Sequence, residues 1–210
     1  MSYYDVQSLS RHAEATREVI LDAAAQLLRE RPGADFSMQE VADRAGVTHR
    51  TVYRYFPGRH LLMSEAAGRV IPGLADPSFF DRSEPDSVQA WIDALSDRLA
   101  LIEAHLDIFR AVLSAVMVSD AMEKTDQRMN DRYVPFWEVF RNEFPDLSEE
   151  EARQAFAVVR QLGSSMTYVT FRRSLGLSAS AATEAIQTTA RQVVDATARR
   201  NEAALRRRRP

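Results

Sequence analysis

The sequence has no cysteine and few glycine and histidine residues. Without cysteine among its 210 residues, disulfide frameworks, thiol nucleophiles and cysteine-type zinc sites are excluded. Seven glycines argue against the glycine-rich loops that cradle phosphates. The four histidines stand at no metal-ligand spacing, and no cofactor motif or nucleophile–base pair is present. We therefore expect neither a cofactor nor an enzymatic activity.

Long apolar runs are also missing. The longest one covers about residues 111–118, far short of the ~20 residues that span a bilayer. The first residues carry no basic and apolar signal-peptide pattern. Apolar residues make up 45% of the chain and charged residues 27%, as is usual in globular proteins. We expect a soluble, cytoplasmic protein that does not bind membranes.

The charge is unevenly distributed around a net value of −3. Residues 44–70 hold five arginines against Glu65 alone, whereas residues 1–43 carry −4 and residues 71–151 carry −11. A polyanion would be repelled by most of this surface and accepted at the basic segment. The alternative is a basic segment that arose by chance and only meets water. Residues 152–210 carry +8 and end in a run of arginines.

Apolar residues recur at helical spacing, and no run alternates as strands do. We predict an all-α fold, with a linker containing three prolines at about 71–86. The predicted helices are 16–31, 37–45, 48–55, 59–70, 86–104, 106–118, 120–143, 148–174 and 179–205.

The second and third predicted helices have the pattern of a helix-turn-helix. Ala42 is small enough for the helices to cross, Gly46 suits the turn, and Val52 packs back onto the pair. The outward face of the third helix bears hydrogen-bond donors and no acid between Arg44 and Arg59. Such a helix fits the ~12 Å major groove of B-DNA. The alternative is a helical hairpin whose polar face is merely solvated.

The sequences VADRAGV at 41–47 and TVYRYFPGRHLL at 51–62 resemble the tetracycline-repressor (TetR) family of transcriptional regulators. The resemblance covers about residues 16–62. The family usually has lysine and then an acidic residue where this chain has Arg59 and His60, and often a small residue where it has Arg50. An arginine at position 59 keeps the charge and allows bidentate phosphate contact.

The resemblance implies which residues contact DNA. Ser37 and Gln39 would present a helix start to a phosphate, and Arg50 is the expected specificity residue because arginine–guanine pairing is the commonest base-specific contact. Phe56 is expected in the core. The predicted DNA-binding residues are Ser37, Gln39, Thr48, His49, Arg50, Thr51, Tyr53, Tyr55 and Arg59.

The resemblance, together with the run of arginines near the end of the chain, divides the sequence into four predicted segments. These are an N-terminal arm (1–15), a three-helix helix-turn-helix DNA-binding domain (16–62), a C-terminal helical bundle for ligand binding and dimerisation (63–205) and a basic tail (206–210). The effector pocket is expected at Met117, Trp137, Phe140 and Tyr168, although such side chains are more often plain core. Gly163, Ser164 and Ser165 would permit close helix approach in a homodimer; packing inside one chain is the alternative.

These observations predict a sequence-specific DNA-binding regulator. We expect a repressor that binds a palindromic operator in double-stranded DNA as a homodimer and is released by a small, largely apolar effector. The alternative is a helical small-molecule carrier or enzyme with an incidental helix-turn-helix-like hairpin. DNA binding would discriminate between the two.

Overall fold

The computed structural model describes residues 3–33, 36–71, 86–117 and 134–208, and all regular elements within these ranges are helical. The predicted all-α fold is confirmed. The helices are α1 (Tyr3–Glu30), α2 (Met38–Ala45), α3 (His49–Tyr55), α4 (Arg59–Val70), α5 (Val88–Asp93), α6 (Leu95–Ala104), α7 (Leu106–Met117), α8 (Val134–Glu143), α9 (Glu149–Leu162), α10 (Ser165–Val169), a π-helical turn (Thr170–Ser174) and α11 (Ala179–Arg208).

The N-terminal helices form a first compact unit together with residues 107–117 of α7. Helix α1 packs against α2 and α4, and it buries Ile20 and Leu28 completely together with Leu62 of α4. Ion pairs cover the edges of this core, for example Arg17 with Glu65. Helix α4 therefore remains with the helix-turn-helix along its whole length.

At both ends of the chain, the helices extend further than predicted. Helix α1 begins at Tyr3, so residues 3–15, predicted as an arm, are helical. Helix α11 continues to Arg208, so most of the predicted basic tail is also helical. Arg206 and Arg208 pair with Glu202 and Asp146, which explains how the like-charged run is accommodated in a helix.

Residues 86–106 and 134–208 form a second unit with an aromatic core. Trp91 stacks on Phe136 with ring centroids 4.7 Å apart. Phe140 packs edge-on against Phe144 and Phe156 at 4.9 and 5.6 Å. Helix α11 lies along α9 and contacts α5 and α6. Its core face repeats every four residues, at Ala182, Ile186 and Ala190.

Two predicted helices are interrupted. The helix predicted at 86–104 breaks at Ala94, and the one predicted at 148–174 breaks at Gly163, after which Ser164 caps α10. A Cβ on Gly163 would lie 2.5 Å from the Trp91 ring. The expectation that Gly163 serves a subunit contact is therefore wrong, because its missing side chain makes room for Trp91 of the same chain.

Candidate nucleic-acid interface

Local signals build the helix-turn-helix. Ser37 and Glu40 form a capping box at the start of α2, in which the Ser37 hydroxyl accepts from the Glu40 amide at 3.1 Å. Gly46 ends α2 with a φ of 65°, a left-handed conformation that glycine adopts without steric cost. Thr48 then caps α3 by accepting from the Thr51 amide at 3.2 Å. The turn between the two helices thus consists of residues 46–48, with Gly46 and Thr48 fixing its ends.

The buried side of the pair matches the prediction. Val41, Ala42 and Val52 are all fully buried. Phe56 is 1% exposed, and the Arg17 guanidinium of α1 lies 4.9 Å from its ring centroid. Phe56 is thus a core residue, as expected. Because α3 has only seven residues, its orientation depends on these tertiary contacts rather than on intrinsic helix propensity.

The outward side of α3 exposes donors. His49, Arg50 and Tyr53 are exposed and Thr51 is half-buried. The His49 ring packs edge-on against Tyr53 at 4.8 Å, which holds both side chains along one line of the helix. The Thr48 and Thr51 hydroxyls lie 2.8 Å apart and share a hydrogen bond. This face bears no carboxylate.

Tyr55 is placed differently from the rest of the predicted set. It is half-buried, its hydroxyl accepts from Arg54 Nη2 at 3.0 Å, and the Arg54 guanidinium covers its ring at 4.8 Å. Tyr55 therefore presents its hydroxyl together with a cation. The sequence pattern offered no indication of this pairing, because neighbouring residues on a helix do not normally face each other.

The starts of α2 and α4 meet the face of α3 in a surface depression of about 490 Å³. Arg59 is held there by a hydrogen bond from its Nε to the Phe36 carbonyl at 3.0 Å. Phe36 itself is buried and was not among the predicted residues. The depression brings together five predicted residues from three helices, namely Ser37, Gln39, His49, Tyr53 and Arg59.

Two of the five arginines of the basic segment form ion pairs away from the depression, which Arg59 lines. Arg44 is bound by both carboxylate oxygens of Glu30 at 2.7 and 2.9 Å. Arg69 pairs with Glu18 and Asp22. The positive charge predicted from the segment is thus concentrated on α3 and the start of α4. Sequence reasoning missed this division, since the acidic partners lie 14 or more residues away.

One carboxylate lines the depression, and it is already engaged. Glu40 accepts from the Ser37 amide at 2.8 Å and from Arg31 at 2.8 Å. The Ser37 backbone hydrogen bond, together with the Arg31 contact, lowers the pKa of Glu40 to about 2. Gln39 donates its side-chain amide to Asp43 at 2.7 Å. Glu40 is therefore ionised at neutral pH as part of the cap.

The predicted effector residues fall into separate places. Met117 is 60% exposed and belongs to the first unit. In the second unit Trp137 and Phe140 both pack against Phe156, whereas Tyr168 donates its hydroxyl to Glu103 at 3.1 Å. The side chains of Met122, Met129 and Tyr133, whose types also suit a pocket lining, lie outside the described residues.

Within the described ranges, no cluster of three metal-ligating side chains occurs. Over the same residues, no helix has the length and apolarity needed to cross a membrane.

Comparison with known proteins finds a family match in the N-terminal part of the chain. Residues 20–66 match the family model for bacterial regulatory proteins of the tetR family. The chain is 27% identical over 152 residues to the nucleoid occlusion factor SlmA of Marinobacter nauticus, covering 70% of this chain and 73% of SlmA. It is 36% identical over 100 residues to the HTH-type transcriptional repressor LfrR of Mycolicibacterium smegmatis, covering 48% and 49% of the two chains.

A solved structure shares the fold. The crystal structure of NalD, the secondary repressor of the MexAB-OprM multidrug efflux pump in Pseudomonas aeruginosa, superposes with a TM-score of 0.51 at 18% identity. The superposition covers 87% of this chain and 96% of NalD.

Proposed function

We propose that this chain, a TetR-family transcriptional regulator by its N-terminal domain, represses transcription by binding a palindromic operator and is released by a small effector. The observation that carries the proposal is the donor-rich face of α3 beside the starts of α2 and α4. Arg50, His49 and Thr51 would read base edges in the major groove. Ser37, Tyr53 and Arg59 would hold adjacent phosphates, and Gln39, Thr48 and Tyr55 would support them.

A homodimer would match this function. Two recognition helices about 34 Å apart read successive major grooves on one side of the duplex. Helix α9 leaves Val158 48% exposed, and an apolar side chain there suits a symmetric contact between subunits. We propose that α9 and α11 form the dimer face. Val158→Glu should then convert the dimer to a monomer in sedimentation experiments, whereas Glu150→Gln on the same helix should leave it intact.

Effector release requires a connection from the regulatory region to the helix-turn-helix. In the first unit, Arg110 of α7 donates Nη2 to the Gly33 carbonyl at 3.0 Å, so α7 touches the turn that leads from α1 to α2. A movement of α7 would change the position of that turn. The required coupling free energy is typically ~1–3 kcal/mol. A regulator that binds chromosomal DNA would act in the cytoplasm, and we propose that location for this chain.

The first experiment is selection of duplexes from a random pool with the purified full-length protein. A palindromic site with half-sites about one helical turn apart supports the proposal, and the recovered duplex allows effectors to be screened by release. Recovery of no enriched sequence, at low as well as moderate salt, contradicts it. The carrier or enzyme alternative predicts that second outcome.

A further inference from the structure

A second depression, a groove of about 560 Å³, lies within the second unit between α6, α10 and the first half of α11. Ala100 and Glu103 line it from α6, Tyr168 from α10, and Glu184, Gln187 and Arg191 from α11. Of the four predicted effector residues, only Tyr168 lines this groove. Its volume lies within the range of small-molecule sites.

The floor of the groove is held in place by hydrogen bonds. Tyr168 is 1% exposed, and its hydroxyl donates to Glu103. Arg172 donates to both oxygens of Glu103, at 2.7 and 2.6 Å. Arg172 lies in the π-helical turn, and such turns frequently occur at functional sites. The carboxylate of Glu103 thus has its partners inside the fold.

The charges along the groove favour a positively charged ligand. Arg191 pairs with Asp93 at 3.2 Å, and Arg172 pairs with Glu103; Arg173 also acts on Glu103. Glu184 is exposed and makes neither a hydrogen bond nor an ion pair with any residue that the structure describes. Arg172 and Arg191 already have carboxylate partners, whereas Glu184 offers a bound cation an unused carboxylate.

We propose that this groove binds a small monovalent organic cation, with its ammonium group beside Glu184 and its apolar body against Ala100 and Ala179. Gln187 donates to Ser96 at 2.8 Å and forms part of the wall. The proposal has one consequence that rests on the proposed function, namely that such a cation acts as the effector. Binding itself concerns the second unit and can be measured without DNA.

The test is calorimetric titration of the full-length protein at pH 7 with phenethylammonium chloride and with 2-phenylethanol, its neutral analogue. The ammonium should bind more tightly than the alcohol. Glu184→Gln should weaken ammonium binding about 3–5-fold, the effect of removing an exposed ion pair, and leave the alcohol unaffected. Glu202→Gln, on the same helix outside the groove, is the matched control and should change neither.

A second variant tests the location. Ala100 is exposed, so Ala100→Trp should fill the groove without disturbing the fold and should abolish binding of both compounds. The inference is overturned if the alcohol binds as tightly as the ammonium, if Glu184→Gln behaves like Glu202→Gln, or if Ala100→Trp binds like the parent.

Duplex binding is measured separately, so the two proposals can fail separately. A protein that binds its selected duplex but not phenethylammonium retains the proposed function and loses this inference. A protein that binds phenethylammonium at the groove but enriches no duplex retains the site and loses the proposed function.

Discussion

Gly33 lies so close to Asp107 that a Cβ on the glycine would be 2.8 Å from the Cβ of Asp107. Gly33 also has a φ of +77°, a conformation that L side chains rarely adopt. The left-handed backbone and the close contact with Asp107 of α7 both require glycine at this turn after α1. This turn therefore joins two segments that are 74 residues apart in sequence.

Replacing Gly33 should be more costly than replacing a glycine with the same backbone conformation and free space. Gly46 has a φ of +65°, and a Cβ added to it would have nothing within 4 Å, so Gly46→Ala should cost about 1–2 kcal/mol from conformation alone. Gly33→Ala should cost about 1–3 kcal/mol more, because of overpacking against Asp107. Urea unfolding of both variants measures the difference; equal losses would mean that α7 yields without cost.

Arg50 and Arg59 should have different effects on DNA binding. Arg50→Ala should relax preference at one base position in each half-site and cost about 1–3 kcal/mol there. Arg59→Ala should weaken binding to every duplex and lower the salt-dependence slope by about one. Fluorescence anisotropy on the selected duplex and on single-base variants, at several salt concentrations, measures both effects.

The matched control for these arginines is Arg153→Ala. Arg153 lies in the second unit and pairs with Glu149, so its loss removes one charge without touching α3. If Arg50→Ala and Arg59→Ala bound all duplexes as Arg153→Ala does, the assigned interface would be wrong.

Gly163→Ala should destabilise the second unit by overpacking. The added methyl would meet the Trp91 ring at 2.5 Å and Leu95 at 2.9 Å, and such insertions cost about 1–3 kcal/mol. The φ of −80° at this position is open to alanine, so the loss would come from the clash. Combining the change with Trp91→Phe should give less than the sum of the two single losses. Additive losses in urea unfolding would contradict the contact.

The capping box of α2 should contribute to stability in a defined pH range. Folding lowers the pKa of Glu40 from its ordinary value of 4.5 to about 2, so the folded state favours the ionised form. Its contribution is complete above about pH 4.5 and is lost as the pH falls towards 2. The stability difference between the parent and Glu40→Gln, from urea unfolding, should therefore be larger at pH 6 than at pH 3. A difference independent of pH would show that the charge of Glu40 is not involved.

Much of the helix-turn-helix was predictable because its signals are local. Ser37, Glu40 and Gly46 act within a few residues of themselves, and the spacing of Val41, Ala42 and Val52 shows which helix faces turn inward. The aromatic and glycine positions of the second unit were harder to interpret. Gly163 has the same local pattern whether it faces another subunit or, as observed, Trp91.

The amino-acid sequence by itself determined the all-α class, the helix-turn-helix and the donor-rich face of α3, because hydrogen bonding and apolar periodicity operate over one or two turns. Only the tertiary structure decided that Arg44 forms an ion pair with Glu30, that α7 contacts Gly33, and that Tyr168 and Glu184 line one groove. These pairings depend on which distant surfaces meet, and helical periodicity identifies a face without identifying its partner.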